Sequence, residues 1–359
     1  MDERVFHFKA CQPIPEWDLN HRLDIHRPVG PEMKDSSTIF RINSCHMDVT
    51  DQPYRDRQWQ AGGVLTLCLG IAASIFYGTS VIKNPNNTID SYLITTALLV
   101  LSAISTFGFF VVKYGRDEFF SLKRRPIRFH RKERKIYAIR RRRFFAESGE
   151  GDITWEAPWN ENSIFCIHRG VVDHRNVYHI RYYDVDQNGN VVRAFAIGRK
   201  WEGDESLEDL LSQWNYWCWY MNHGPAELPK PLLFFKEKED ILESFLFCMY
   251  DFGMRASPAY RTMMMPAILL MTTHRLMALW TCRDPIWPDS INKVSVIEPD
   301  DPFDQPSGRT PVGWAETTHA IDRNEYPDGD RREMPNWYGK KDPAANARLW
   351  AQDTPPHIN

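Results

Sequence analysis

The chain has 359 residues, a formal net charge of −3 and 43% hydrophobic residues, which is the average composition of an ordinary globular protein. The length leaves room for a membrane anchor with one or two folded domains. The seven cysteines are scattered and form no Cys-x-x-Cys pair. This disfavours a disulfide framework and fits a reducing compartment. The first ten residues carry charges and no apolar core, so no signal peptide is expected.

Charge is unevenly distributed along the chain. Residues 123–143 contain twelve Lys/Arg and one acid, whereas residues 283–359 contain fourteen Asp/Glu and nine Lys/Arg. A basic segment beside a membrane span has a different meaning from the same charge spread over a surface.

Residues 1–60 are predicted to form a cytoplasmic N-terminal segment. Its first 36 residues are irregular in pattern. Residues 37–49 are predicted to form a strand that joins the cytoplasmic sheet.

Two long uncharged runs follow, at residues 61–82 and 92–112. About 20 apolar residues are enough to cross the hydrocarbon core of a membrane as a helix. Uncharged runs of this length are uncommon in soluble proteins. We therefore predict a two-helix transmembrane hairpin over residues 61–112, with two buried core helices as the alternative.

The charged flanks predict the orientation of this hairpin. Arg41, Arg55 and Arg57 precede the first run, several Lys and Arg residues follow the second, and the segment between the runs offers only Lys83. Because positive residues stay on the cytoplasmic side, both termini are expected in the cytoplasm. The connection between the runs is too short to form a domain.

The first apolar run carries small residues at every fourth position, a pattern that lets membrane helices approach closely. They are Gly62, Thr66, Gly70, Ser74 and Gly78. Packing inside the hairpin is the preferred interpretation, because the short connection already brings a partner helix alongside. A homo-oligomer is the alternative.

The basic run after the hairpin supplies candidate contacts for anionic lipid or a protein partner. They are Arg124, Arg125, Arg128, Arg131, Arg140, Arg141, Arg142 and Arg143. Each basic residue near an anionic membrane surface contributes about 1 kcal/mol. Fixing the topology is the simpler interpretation, but the four successive arginines at 140–143 exceed what topology needs. Nucleic acid is not expected, since no recognisable nucleic-acid fold accompanies the run.

Residues 113–230 are predicted to form a cytoplasmic domain. Short segments rich in β-branched and aromatic residues occupy 126–197, and Asn188-Gly189 is a strong hairpin turn. An amphipathic helix begins near Ser206 and ends at Gly224. Several antiparallel strands closed by one helix suit a small barrel of pleckstrin-homology type, so the predicted fold class is an α+β membrane protein.

Residues 231–298 are predicted to be helical. The stretch 237–252 is amphipathic and stops at Gly253. The stretch 263–280 is apolar but holds His274 and Arg275, and burying that arginine in a membrane costs about 3 kcal/mol or more. A helix in the membrane interface or packed on the domain is preferred over a third span, which would place the C-terminus outside.

Residues 299–359 are predicted to form a Pro-rich acidic tail, extended along the domain rather than folded by itself. Its tryptophans are spread through polar sequence.

Catalytic and metal chemistry receive little support from the sequence. No nucleophile elbow, phosphate-binding loop, dinucleotide fingerprint or His-Glu-x-x-His motif occurs. Cys166, His168, Asp173, His174 and His179 include zinc-ligand types, but their spacing matches no recognised site. We expect a protein that is not an enzyme and that holds no metal or cofactor.

The order of segments resembles an uncharacterised bacterial family of two-span proteins with a pleckstrin-like cytoplasmic domain, often encoded beside type VI secretion effectors. The resemblance covers residues 37–293 and lies in PIRFHRKERKIYAIRR, ITWEAPW, YHIRYYDVDQNGNVVRAFAIG, WYMNHGPAELP and DPIWPDSINK. It implies a setting of interbacterial competition and supplies no catalytic residues.

The expected function is that of a non-enzymatic immunity protein of the bacterial inner membrane, which binds and neutralises a cognate type VI effector at the cytoplasmic face. An effector adaptor or chaperone at the same membrane is one alternative. A pleckstrin-like module that binds anionic lipid is another. The expected partners are thus a protein toxin and membrane lipid.

Overall fold

The structure is a computed structural model that describes residues 11–83, 91–140, 152–172, 174–252, 256–326 and 331–355. The helices are α1 (Glu16–Asn20), α2 (Gln52–Ile82), α3 (Ser91–Glu118), α4 (Leu207–His223), α5 (Ile241–Asp251), α6 (Pro258–Met263), α7 (Met265–Thr281), α8 (Asp289–Val294), α9 (Gly313–Asp322) and α10 (Pro343–Trp350). The strands are β1 (Arg22–Leu23), β2 (Glu32–Met33), β3 (Ile39–Ile42), β4 (His46–Val49), β5 (Ile127–His130), β6 (Lys135–Arg140), β7 (Ile153–Pro158), β8 (Ile164–Val172), β9 (Arg175–Val185), β10 (Val191–Glu202) and β11 (Arg332–Glu333).

The helices α2 and α3 form an antiparallel pair that protrudes from the rest of the fold. The segments Tyr54–Ile82 and Leu93–Gly115 are long and apolar enough to cross a membrane. Of their most apolar windows, 0% and 6% of the residues are buried, whereas the core helix of a soluble protein is mostly buried. The two apolar helices therefore agree with the predicted hairpin by length, composition and exposure.

The strands of the described residues form two antiparallel sheets and a short two-stranded ribbon of β2 and β11. One sheet has the order β3-β4-β5-β6-β7, and the other has the order β1-β8-β9-β10. The α+β class is confirmed, but the predicted closed barrel is not found. Within the described ranges, no ladder joins β7 to β8, so the chain passes from one sheet to the other without closing either.

The predicted strand at 37–49 is a hairpin of two strands, β3 and β4, at the edge of the first sheet. The side chain of Asn43 accepts hydrogen bonds from the backbone N–H groups of Cys45 and His46, at 2.9 and 2.8 Å. Such a side-chain-to-backbone bond stabilises a turn, and it reverses the chain here.

The helix α4 packs against both sheets and forms the centre of the core. Its Trp214 lies 5.4 Å from Trp159, and its Trp217 lies 4.9 Å from Phe129, between ring centroids. Gly198 has a φ of +74°, and a Cβ there would lie 2.5 Å from the ring of Trp217. A glycine is needed at this position because of both the backbone angle and the close ring.

The N-terminal segment covers the side of α4 that the sheets leave open. Asn215 accepts a hydrogen bond from the backbone N–H of Val29 at 3.0 Å. Its amide donates to the carbonyls of Gly30 and Glu32 at 3.1 and 2.9 Å. This explains why polar residues of α4 are buried together with its predicted apolar face.

The tail lies along the folded domain, and its described parts, 299–326 and 331–355, contain two helices. Asp301 accepts hydrogen bonds from the backbone and the hydroxyl of Ser44 at 2.8 and 2.9 Å. Asp304 forms a bidentate ion pair with Arg41 at 2.9 and 2.8 Å. Trp350 of α10 is 7% exposed and belongs to the core around α4. The tail is thus fastened to the first sheet through its acidic residues and to the core through α10.

Candidate functional site

The bases of α2, α3 and α7 meet at the point where the apolar hairpin joins the folded domain. Arg57, Glu239 and Arg275 have buried side chains there, and we refer to these three residues as the arginine junction. Fully buried arginines are uncommon unless they are paired. This junction is the most distinctive polar site of the described structure.

Arg57 of α2 caps the C-terminal end of α3. Its guanidinium donates to the carbonyl of Glu118 at 3.0 Å. It also donates to the carbonyls of Leu122 and Lys123 at 2.8 and 2.9 Å. Because the last carbonyls of a helix have no partner within the helix, a cation placed there satisfies them and the helix dipole together. Arg57 therefore ties the two apolar helices together at their base.

Arg275 of α7 forms a fully enclosed ion pair with Glu239. The distances are 2.5 Å from Nε to Oε1 and 2.7 Å from Nη2 to Oε2. Its Nη1 also donates to the carbonyl of Tyr54 and to Oε1 of Gln58, at 2.8 and 2.9 Å. This second set of bonds fastens α7 to the start of α2.

Arg275 and Glu239 each stabilise the ionised form of the other. Burial opposes ionisation of Glu239, but the Coulombic attraction and hydrogen bonds of Arg275 hold the pKa of that carboxyl below its ordinary value. Burial likewise disfavours the charged form of Arg275, and the attraction to Glu239 outweighs it and raises the pKa of the guanidinium. Both groups are therefore ionised.

In the sequence, Arg275 argued against a third membrane-spanning helix at 263–280. The structure divides this stretch between the end of α6 and α7, and the described residues contain candidate spans in α2 and α3 alone. Nothing local identifies Glu239, which lies 36 positions away, as its partner. The sequence could have predicted only that an arginine in an apolar helix needs a buried acid from another element, without saying which acid.

Two arginines of the basic run are used inside the protein. Arg128 forms a bidentate pair with Asp48 at 2.7 Å for both bonds, and its guanidinium lies 4.6 Å from the ring of Trp287. Arg124 lies 3.3 Å from the carboxylate of Glu237. Lipid or partner contacts of the basic run must therefore rest on its other members.

The other predicted members of the basic run differ in what the structure describes. Arg131 is partly buried, with its guanidinium 3.4 Å from the carbonyl of Ser44, and Arg125 is partly buried as well. Arg140 is the last residue of β6, and Arg141, Arg142 and Arg143 lie outside the described residues. A role for these positions in lipid or partner contact stays a prediction.

Two glycines of the small-residue stripe face α3. A Cβ at Gly70 would lie 3.0 Å from the ring of Phe107, and a Cβ at Gly78 would lie 3.1 Å from the side chain of Val100. Their small size lets the two apolar helices approach closely.

The remaining stripe residues have other surroundings. Gly62 faces α7, where a Cβ would lie 2.5 Å from the ring of His274. Thr66 is exposed and donates its hydroxyl to the carbonyl of Gly62 at 2.9 Å. Ser74 donates to the carbonyl of Gly70 at 2.8 Å. The stripe therefore serves two interfaces, one with α3 and one with α7.

The histidine region of β8 and β9 is organised around Asp18 of α1. Its Oδ2 lies 2.6 Å from Nδ1 of His168 and accepts the hydroxyl of Tyr183 at 2.5 Å. Burial lowers the pKa of His168 against the pull of Asp18. Cys166 is buried, and burial raises the pKa of its thiol. Among the described residues, which omit Asp173, no three such ligands come together in a group able to hold a metal ion.

A groove of about 570 Å³ opens between residues 225–234 and the tail, and we refer to it as the tail groove. Its lining includes the aromatic residues Tyr216, Phe234, Phe303 and Tyr326 and the basic residues Lys230, Arg309, Arg323 and Arg332. The one acid in its described lining, Glu325, lies 2.7 Å from Arg323. Tyr216 and Phe234 are each 1% exposed, so Phe303 and Tyr326 supply the accessible aromatic surface. Aromatic surface with surplus positive charge is suited to binding an acidic protein segment.

No curated protein matches the chain, and no solved structure matches it. Residues 104–299 match the sequence model of DUF6708, which is described as a family of unknown function. The match begins inside α3 and covers more than half of the sequence. It contains the three long strands of the second sheet, β8, β9 and β10, together with α4 and α7. The chain therefore belongs to the DUF6708 family of unknown function.

Proposed function

We propose that the protein is a non-enzymatic immunity protein of the bacterial inner membrane, with both termini in the cytoplasm. It binds a cognate type VI secretion effector at the cytoplasmic face and neutralises it. The proposal draws its setting from the resemblance of residues 37–293 to two-span proteins encoded beside such effectors. It draws its location from the two exposed apolar helices.

The observation that carries the proposal is the arginine junction. Arg57 and Arg275 bind the hairpin base to the folded domain through buried hydrogen bonds. A hairpin fixed in this way holds the domain against the membrane surface instead of leaving it on a flexible tether. A partner that approaches the membrane from the cytoplasm then meets the domain in a defined orientation, which lowers the entropic cost of binding.

The tail groove is the contact surface that we propose for this partner. Lys230 and Arg309 are exposed at its lining. Exposed charges of one sign steer an oppositely charged partner and raise its association rate. The expected ligand is therefore an acidic surface or segment of the effector.

A challenge with effector-producing siblings tests the proposal. Cells that carry the full-length protein should survive, and cells that lack it should be killed. The double variant Lys230→Glu/Arg309→Glu should lose protection while keeping its normal amount in the membrane, and the exposed Lys340→Glu serves as the matched control. Equal survival with and without the gene would contradict the immunity function. Blocked effector export without sensitivity to siblings would indicate the adaptor function instead.

The finer fold assignment, a pleckstrin-like domain, belongs to the same proposal. It is supported by the order of two antiparallel sheets followed by the helix α4. An anionic-lipid module predicts that the full chain in nanodiscs retains phosphatidylglycerol selectively. Replacing the arginines at 140–143 by Gln should then abolish that retention, as measured by lipid analysis of the purified complex. Equal retention by both forms would exclude this alternative.

A further inference from the structure

One face of α7 is apolar, exposed and without a charge. It consists of Pro266, Leu269, Leu270, Thr273, Met277 and Trp280. Apart from the adjacent Leu269 and Leu270, successive positions are three or four residues apart, so they lie on one side of the helix. Leu270 is 53% exposed and Trp280 is 89% exposed. A contiguous apolar surface of this kind on a folded protein marks a contact with another apolar surface.

The opposite face of α7 packs against the base of α2, and the contacts fix the relative position of the two helices. Cys282, directly after α7, lies 3.2 Å from the guanidinium of Arg57, and His274 lies against Gly62. The order of contacts is reversed along the two helices, so they run antiparallel. Residues of α7 that precede His274 therefore lie beside the uncharged part of α2, which begins at Ala61.

Helix geometry limits how deeply α7 can enter a membrane. At about 1.5 Å per residue, the segment 265–273 extends about 13 Å along its axis. Half of a hydrocarbon core is about 15 Å thick. The start of α7 thus reaches no deeper than one leaflet.

The chain enters and leaves this region on the same side. Before α6, Asp251 accepts hydrogen bonds from the side chains of Gln58 and Trp59, at 2.9 and 2.6 Å. After α7, the thiol of Cys282 donates to the carbonyl of Glu118 at 3.2 Å. Both anchor points lie at the hairpin base, so α7 does not cross to the other side.

Aromatic residues at the C-terminal end of α7 match a membrane boundary. Trp280 is next to Thr281, whose hydroxyl oxygen lies 3.4 Å from the backbone nitrogen of Phe120. Phe120 is 74% exposed. Tryptophan and other aromatic side chains concentrate at the level of the lipid headgroups.

We propose that the exposed face of α7 is embedded in the cytoplasmic leaflet, as a third membrane-bound element that does not span the bilayer. The occupant is lipid, because the face carries no charge and α7 packs beside α2, which exposes apolar side chains such as Leu69. The inference rests on α2 and α3 crossing the membrane. It is independent of the proposed effector.

The test uses the full chain in phosphatidylcholine nanodiscs, with Cys11 and Cys68, the two exposed cysteines, replaced by serine. A single cysteine is then introduced by Leu270→Cys and labelled with an environment-sensitive fluorophore. Leu69→Cys in α2, at 70% exposure, is the lipid reference, and Val171→Cys in β8, at 68% exposure, is the water reference. Quenching is measured with nitroxide on the lipid acyl chains and with iodide in solution.

The Leu270 probe should be quenched by acyl-chain nitroxide at least half as strongly as the Leu69 probe, and several-fold less by iodide than the Val171 probe. A Met277→Cys probe should be quenched more strongly by nitroxide at the headgroup than by nitroxide on the chain. Iodide quenching of Leu270 at the level of Val171 overturns the inference. Protection from both quenchers overturns it too, since a second copy or another protein then covers the face. Failure of lipid quenching at Leu69 overturns the spanning hairpin and the inference with it.

Discussion

The arginine junction makes a sharp prediction about stability. Replacing Arg275 by Met removes the cation and leaves the carboxylate of Glu239 enclosed, with 5% of its side chain exposed. Breaking a buried ion pair on one side costs about 3–5 kcal/mol, because the remaining charge has no compensation. Among the described residues, Glu239 would keep only the hydroxyl hydrogen bonds from Tyr54 and Ser244, at 2.9 and 2.6 Å.

The double variant Arg275→Met/Glu239→Gln distinguishes the loss of a contact from the stranding of a charge. The introduced glutamine is neutral. Because Tyr54 and Ser244 donate to different oxygens of Glu239, the amide oxygen keeps one of these hydrogen bonds, and the amide NH2 donates to the other hydroxyl oxygen instead. We expect the double variant to be more stable than Arg275→Met alone by about 2 kcal/mol, so the two substitutions are not additive, as is usual for residues in contact. Additive single costs would contradict this explanation.

The assay is urea unfolding of the full chain in detergent micelles, followed by tryptophan fluorescence. Arg323→Met is the matched control, because Arg323 and its partner Glu325 are each 58% exposed and lie 2.7 Å apart. Exposed pairs are worth about 0–1 kcal/mol. If Arg275→Met costs no more than Arg323→Met, the buried pair does not hold α7 on the hairpin.

The pH dependence of the same variants gives an independent check. The pKa of Glu239 is lower in the folded protein than its ordinary value of 4.5. The stabilisation from its ionised form is therefore present above pH 4.5 and is lost as the pH falls through the folded pKa. The stability curve of Arg275→Met should lack this acid limb.

Three further predictions concern the fold around the junction. Arg128→Gln should cost about 2–3 kcal/mol because it strands Asp48. Arg193→Gln, which removes an exposed pair with Asp184, should cost less than about 1 kcal/mol, and chemical unfolding compares the two variants. Gly70→Leu should destabilise the hairpin by about 1–3 kcal/mol, because the new side chain collides with the ring of Phe107. Gly108→Leu should not, because a Cβ there meets nothing within 4 Å. Equal melting temperatures of the two variants would contradict the close packing. Burial raises the pKa of Glu243 from its ordinary value of 4.5 to about 7, so the folded protein holds a proton that the unfolded chain releases. The free energy of unfolding should therefore fall by on the order of 1–2 kcal/mol as the pH rises from 4.5 through 7. Glu243→Gln should remove this pH dependence. A slope that Glu243→Gln leaves unchanged would assign it to another group.

The sequence by itself determined the features that depend on local pattern. Two uncharged runs of sufficient length predicted the apolar helices, which the structure has at Tyr54–Ile82 and Leu93–Gly115. A cap signal and a terminal glycine predicted a helix from about Ser206 to Gly224, and α4 is Leu207–His223. The Asn188-Gly189 turn joins β9 to β10, where Gly189 has a φ of +79°. These features need only residue spacing and backbone propensity, so neighbouring positions contain the information.

The tertiary structure alone decided which charges meet and how the strands are divided between sheets. Asp48 and Arg128 are 80 positions apart, and Arg57 caps a helix whose last residue is 61 positions further on. The sequence of the basic run predicted candidate contacts for lipid or a protein partner, but the acids that neutralise Arg124 and Arg128 come from other segments. Sequence spacing contains no record of such pairs, because they form only when distant elements are packed together and a buried charge requires a partner. Arg275 is an example: in the sequence it argued against a third membrane-spanning helix, and in the structure it fastens α7 to the base of the hairpin.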